Sequence, residues 1–191
     1  MHIADGIIHP GISAAAAAAS IGLVYLSGRK APLEEIPKMG LTGAALFVAS
    51  LIHIPFAGTS VHPGLYGIAG ILLGKRAFPV IFSVLLFQSL VFQHGGLLSV
   101  GINSINMGAG AFLAWMIWKQ LKLPEYFRAT MAGIAGIIIP TLLMAAGFRL
   151  SGYGLGIIYL FSVYIFVALA EGVITLLIVK FFHKTKSDIL A

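Results

Sequence analysis

Seven apolar stretches, separated by short breaks that hold nearly all the charge, leave this chain few folds to choose from. They run at about residues 11–28, 40–54, 64–74, 78–92, 105–121, 129–148 and 155–182. Most approach the roughly 20 residues a helix needs to cross a bilayer; the second and fourth are short, and the last is long enough to tilt. Open strands in lipid would leave backbone groups unpaired, so helices are the expected element. Only 9% of the residues are charged, against about 25% in an ordinary soluble domain. The sequence therefore predicts an all-α integral membrane protein, a single transmembrane domain over 1–191, built as a bundle of seven transmembrane helices.

The basic residues set an orientation. With the amino terminus outside, the inner connections hold Arg29, Lys30, Lys38, Lys75, Arg76, Lys119, Lys122, Arg128, Lys180, Lys184 and Lys186, which is eleven of twelve, and only Arg149 falls outside. That bias follows the positive-inside rule and places the carboxyl terminus in the cytoplasm. The same distribution argues against nucleic acid, because the net charge of +6 is scattered in small clusters between apolar runs.

On this topology His2, His9, His53, His62 and His94 all belong to the outer side, and His183 alone to the inner one. The chain has no cysteine, so any metal must be held by nitrogen or oxygen. Met1-His2 is itself a chelator: the terminal amine, the His2 amide nitrogen and His2 Nδ1 close a five-membered and a six-membered ring on one cation. Three nitrogens in a plane favour Ni(II), Cu(II) or low-spin Co(II) over tetrahedral Zn(II). The amine is expected to survive, since Met-His-Ile-Ala-Asp-Gly lacks the basic start and apolar stretch of a signal peptide.

The fourth corner is expected from His62. Residues 53–64 carry no charge, as suits a loop dipping into the bundle, and the third apolar run is only about 12 residues long, about 18 Å against a core of about 30 Å. Pro63 at the first helical position makes His62 the N-cap, at a positive helix end that keeps its imidazole neutral. Residues 1–10 are long enough to fold back onto it, with Asp5-Gly6 as the turn, and Asp5 as a carboxylate behind the His2 ligand. His94, Asn103 and Asn106 are placed to line the approach, and Glu171, the one acid inside an apolar run, must face the bundle.

What is missing narrows the function. No Gly-x-x-x-x-Gly-Lys-Ser/Thr loop is present, and 70–76 has the wrong spacing, so the chain is not expected to hydrolyse ATP by itself. No His-Glu-x-x-His suggests a zinc peptidase, and no pair of intramembrane acids suggests a proton-coupled carrier.

Met1-His2-Ile3-Ala4-Asp5-Gly6, then Thr59-Ser60-Val61-His62, then Phe87-Gln88 through Phe92-Gln93-His94-Gly95-Gly96-Leu97 to Gly101-Ile102-Asn103, resemble the CbiM/NikM family. Ala4 departs from the usual pattern. The resemblance implies a substrate-capture (S) component of an energy-coupling factor importer for nickel or cobalt, in a prokaryotic cell membrane. It implies a square-planar cargo site from Met1, His2 and His62, with Asp5, Thr59, Ser60, His94 and Asn103 behind the ligands or along the approach, and no resident cofactor. Implied partners are a transmembrane coupling (T) protein, ATP-binding subunits and a small accessory membrane subunit. A self-sufficient secondary carrier or channel for divalent transition metals is the alternative; nickel is preferred slightly over cobalt.

Overall fold

The computed structural model describes residues 2–56, 59–153, 156–185 and 188–190, with backbone only for 59, 60 and 188. Among them seven α-helices follow in order: α1 Pro10–Gly28, α2 Ile36–Ser50, α3 Tyr66–Leu73, α4 Ala77–Phe92, α5 Val100–Gln120, α6 Glu125–Leu150 and α7 Ile157–Lys184. Five stretches are long and apolar enough to cross a membrane, with Tyr66–Phe92 counted as one, which fits a multi-pass membrane protein. The seven crossings expected from the apolar runs are not reached by this measure. Helix α2 has 15 residues, α3 has 8, and Gly74 at φ +57° breaks α3 from α4.

The polarity of the bundle is that of a protein dissolved in lipid. On α7, Phe166, Leu169, Val173, Leu177 and Phe181 recur every three or four residues and are exposed, a stripe that water would not tolerate. The interior instead holds Ser20, Gln88, Asn103, Ser104, Thr141, Glu171 and Thr175. Several of these hydroxyls return their hydrogen to the preceding turn, as Ser104 does to Val100 O at 2.6 Å and Thr141 to Ile137 O at 2.8 Å.

Short as it is, α3 is enclosed: Tyr66, Gly67, Ile68, Ala69, Gly70, Ile71 and Leu73 are all buried, against α5, α6 and α7. Such contact requires missing side chains, since a Cβ on Gly67 would stand 2.6 Å from Gly133 Cα. Helix α5 is the hub and packs on α1, α3, α4 and α6. The amino-terminal segment belongs to the bundle as well, because Ile3 and Ile8 are buried with Ile102 and Met144.

Two expectations need correction. The chain is not wholly α-helical: β1 Ile54–Phe56 and β2 Thr59–Val61 pair antiparallel, Ile54 opposite Val61, Pro55 opposite Ser60 and Phe56 opposite Thr59. Branched and aromatic residues favour that extended ribbon. Strand β1 is exposed, whereas Val61, His62 and Gly64 are buried, so the 53–64 connection is not buried as a whole. His62 also does not cap a helix. Leu65, left-handed at φ 53°, is the N-cap of α3. The amides of Gly64 and Leu65 are drawn off to the Glu171 carboxylate on α7, with Gly64 donating at 2.5 Å and Leu65 to both oxygens at 3.2 and 3.1 Å. A buried acid far along the chain thus does what a neighbouring cap would have done.

Candidate metal centre

The amino-terminal segment is held by α5. Asn103, itself buried, pairs with both backbone groups of Ile3: Ile3 N–H donates to Asn103 Oδ1 and Asn103 Nδ2 donates to Ile3 C=O, each at 2.9 Å. Asp5 accepts from the Ser99 amide at 2.9 Å and the Leu98 amide at 3.2 Å, and Ser99 Oγ donates to Ala4 C=O at 3.2 Å. Leu98 and Ser99 precede α5, whose first turn has amides without intrahelical acceptors and favours an anion. Asp5 therefore starts α5 at Val100, five residues before the apolar run begins in sequence. Its carboxylate reaches these amides and not the His2 ring.

The Gln93-His94-Gly95-Gly96 corner closes over the segment. Gln93 and Gly95 have positive φ, which turns the chain sharply after α4. A Cβ on Gly96 would stand 2.1 Å from Asp5 Oδ1, and one on Gly95 would stand 3.2 Å from His2 Cδ2. These glycines let the backbone lie directly against the first residues.

Held this way, His2 meets two imidazoles from distant parts of the chain. One ligand nitrogen from each of His2, His62 and His94 lies within 4.8 Å of the others, the arrangement a metal ion needs. His2 Nδ1 and His62 Nε2 are 3.2 Å apart. Their tautomers follow from what stands behind them. Ser50 Oγ donates to Phe47 C=O at 2.6 Å and accepts from Gln88 Nε2 at 2.5 Å, which turns Gln88 Oε1 toward His2 Nε2 at 3.0 Å. The His2 proton therefore sits on Nε2. His62 Nδ1 similarly donates to Pro63 C=O at 3.1 Å. Both lone pairs that remain, on His2 Nδ1 and His62 Nε2, face the same point. Cis ligands at the usual metal–nitrogen length of about 2.0–2.1 Å lie about 2.9 Å apart in a square and about 3.3 Å apart in a tetrahedron.

Burial keeps these rings neutral and ready to coordinate. It lowers the His62 imidazole from its ordinary 6.5 to about 3, His2 well below its ordinary value, and His94 in the same direction, with neighbouring positive charge adding to the effect. Burial thus acts on His62 in place of the helix end expected from sequence.

The remaining candidates distribute as follows. Met1 lies outside the described residues, as do the side chains of Thr59 and Ser60, whose backbones form β2. The His94 ring centroid is 4.1 Å from that of His2 and 5.5 Å from that of His62. Asn106 is buried in α5, and His9 caps α1 by accepting from Gly11 N–H at 3.2 Å instead of joining the cluster. His53 does join its edge, 6.1 Å from His62 and 5.4 Å from His94. Sequence reasoning gave Gln88 no task. Its signal was there, since a lone amide within the apolar run 78–92 must face a polar partner inside the bundle.

The chain resembles known proteins along its whole length. Residues 2–189 match the family model for the cobalt uptake substrate-specific transmembrane region, CbiM. A cobalt transport protein CbiM from Roseiflexus is 35% identical over 73% of this chain and 62% of its own length. A fused nickel transport protein NikMN from Rhodobacter capsulatus is 33% identical over 78% of this chain and 47% of its own length. The chain thus spans less than two thirds of either relative. A crystal structure of a transition metal transporter superposes with a TM-score of 0.84 at 26% identity, covering 100% of this chain and 96% of that one. With the family model matched over residues 2–189 and the fold shared over the whole chain, the chain belongs to the CbiM family of cobalt uptake transmembrane components.

Proposed function

We propose that this protein is the substrate-binding membrane subunit of an ATP-driven energy-coupling factor importer for nickel or cobalt. The cation is captured on the outer side of a prokaryotic cell membrane, with the amino terminus outside and the carboxyl terminus inside. One observation carries the reading: the lone pairs of His2 Nδ1 and His62 Nε2 face each other at 3.2 Å, with both protons drawn to the far side of their rings. Nitrogens so placed suit neighbouring ligands of one cation.

The amine of Met1 and the amide of His2 complete a square of four nitrogens with these two. Such a plane with a deprotonated amide suits a d⁸ ion, which favours nickel slightly over cobalt. An amine of ordinary pKa near 7.7–8.0 must lose its proton on binding, so affinity rises with pH through that range. The distance between Lys75-Arg76 and the cluster supports the orientation: they begin at the opposite end of α4, whose 16 residues rise about 24 Å. Energy enters from elsewhere, through a transmembrane coupling protein and ATP-binding subunits, with a small accessory membrane subunit assisting. The fused nickel relative, in which this chain covers only 47% of the length, supports a fellow component of that kind. Release follows when the amino-terminal segment lifts away and breaks the plane.

The test is metal analysis of the purified chain. His2→Ala, His62→Ala and a chain with one residue added before Met1 are each expected to lose bound nickel or cobalt, and His183→Ala to keep it. Equal metal in all four would overturn the assignment. Uptake by the chain alone into liposomes without ATP would replace it with a self-sufficient carrier.

A further inference from the structure

A cavity of about 320 Å³ opens beside the cluster, lined by Ser50, Leu51, His53, Gln88, Phe92 and His94. No charged side chain is among its walls. Exposed His53 has its Nδ1 at 3.0 Å from Leu51 C=O, so its proton lies there and its lone pair is on Nε2. His94 carries a buried Nε2 with no hydrogen-bond partner among the described residues. Such a nitrogen is a site of unused bonding capacity. The two rings stand 5.4 Å apart at 85°. Imidazoles sharing a cation through bonds of about 2.0–2.1 Å have centroids about 4.5 Å apart at a right angle and about 5.2 Å apart in a tetrahedron. The observed centroid separation is within a few tenths of an ångström of the tetrahedral value.

We propose that His53 and His94 form a second, weaker transition-metal site in this outer vestibule, where an arriving cation exchanges part of its water before it passes to His2 and His62. The inference rests on the four-nitrogen reading above, since it takes the inner plane to be complete without His94. Two imidazoles and water retain nickel, cobalt, copper or zinc, whereas magnesium and calcium favour anionic oxygen ligands and find no carboxylate among these walls. His94, whose ring centroid is 4.1 Å from that of His2, is the member of the outer pair from which the ion passes to the inner plane.

The experiment titrates Co(II) into the full chain in detergent, reading stoichiometry by equilibrium dialysis and filling of the tight site by stopped-flow absorbance. Wild type is expected to take one tight and one weaker equivalent, and Mg(II) neither. His53→Gln, at an exposed position that does not endanger folding, is expected to abolish the weaker equivalent and slow filling of the tight site about tenfold. His183→Ala should change neither. His2→Ala should lose the tight equivalent and keep the weaker one, which separates the two readings: if the tight equivalent persists there, the inner plane is wrong. If His2→Ala behaves as stated but His53→Gln retains both equivalents and the wild-type rate, the vestibule site is refuted. It is refuted equally if His94→Gln abolishes the tight equivalent, because His94 would then belong to the inner plane.

Discussion

Replacing Asn103 by leucine should disarm the metal centre without touching a ligand. The side chain is 2% exposed and makes two bonds of 2.9 Å to the backbone of Ile3, itself 1% exposed. Leucine has similar bulk and neither bond, so a buried N–H and a buried C=O lose their partners at about 1–3 kcal/mol each. If the segment stays docked it does so about 2–6 kcal/mol less favourably. If it swings out, metal binding must first bring it back at about the same cost. At about 1.4 kcal/mol per decade, a redocking cost of about 2 kcal/mol lowers nickel affinity by calorimetry about 30-fold. Far-UV circular dichroism should change by no more than the first turn of α5, whose start Asp5 supports. A dissociation constant within threefold of wild type, with the helical signal intact, would mean that docking of the segment does not govern capture.

The buried clamp on the other ligand can be graded. Glu171→Leu leaves the Gly64 and Leu65 amides without acceptors, whereas Glu171→Gln retains one acceptor oxygen. Melting temperature and nickel affinity should fall in the order wild type, Gln, Leu, with the leucine variant losing about 2–5 kcal/mol; equal losses in the two variants would count against the clamp. For the metal-free protein, His62 binds its proton only near pH 3, whereas an unfolded histidine does so near 6.5. Between those values the unfolded chain holds more protons, so stability is full above about pH 6.5 and is lost as pH falls. Melting temperatures of wild type from pH 7 to 4 should decline more steeply than those of His62→Gln, and parallel curves would contradict the assignment.

How much of this was visible in the sequence depended on how locally each feature is determined. Apolar runs mark helices because hydrophobicity is a property of each residue, and α1, α4 and α7 begin and end within two residues of the expected limits. The meeting of His2 with His62 was legible because Met1-His2 offers three chelating nitrogens and the uncharged 53–64 connection suited a loop folded toward the bundle. The start of α5 was not, since Asp5, 93 and 94 residues away, supplies the acceptor for its leading amides. For the same reason His62 looked like a cap: Pro63 is a local signal, and Glu171 overrides it from α7. The pairing of 54–56 with 59–61 was hidden, because the lack of charge that suggested burial is equally compatible with extended strands.

The attachment of residues 3–5 to α5 and the two residues before it also bears on how long a captured ion would stay. Ile3, Ala4 and Asp5 together make five hydrogen bonds to Leu98, Ser99 and Asn103. At about 1 kcal/mol net apiece, breaking them together slows escape by roughly three to four powers of ten. Release of an ion held behind this latch would then be a matter of prising the segment from its partners, not of loosening any single coordinate bond.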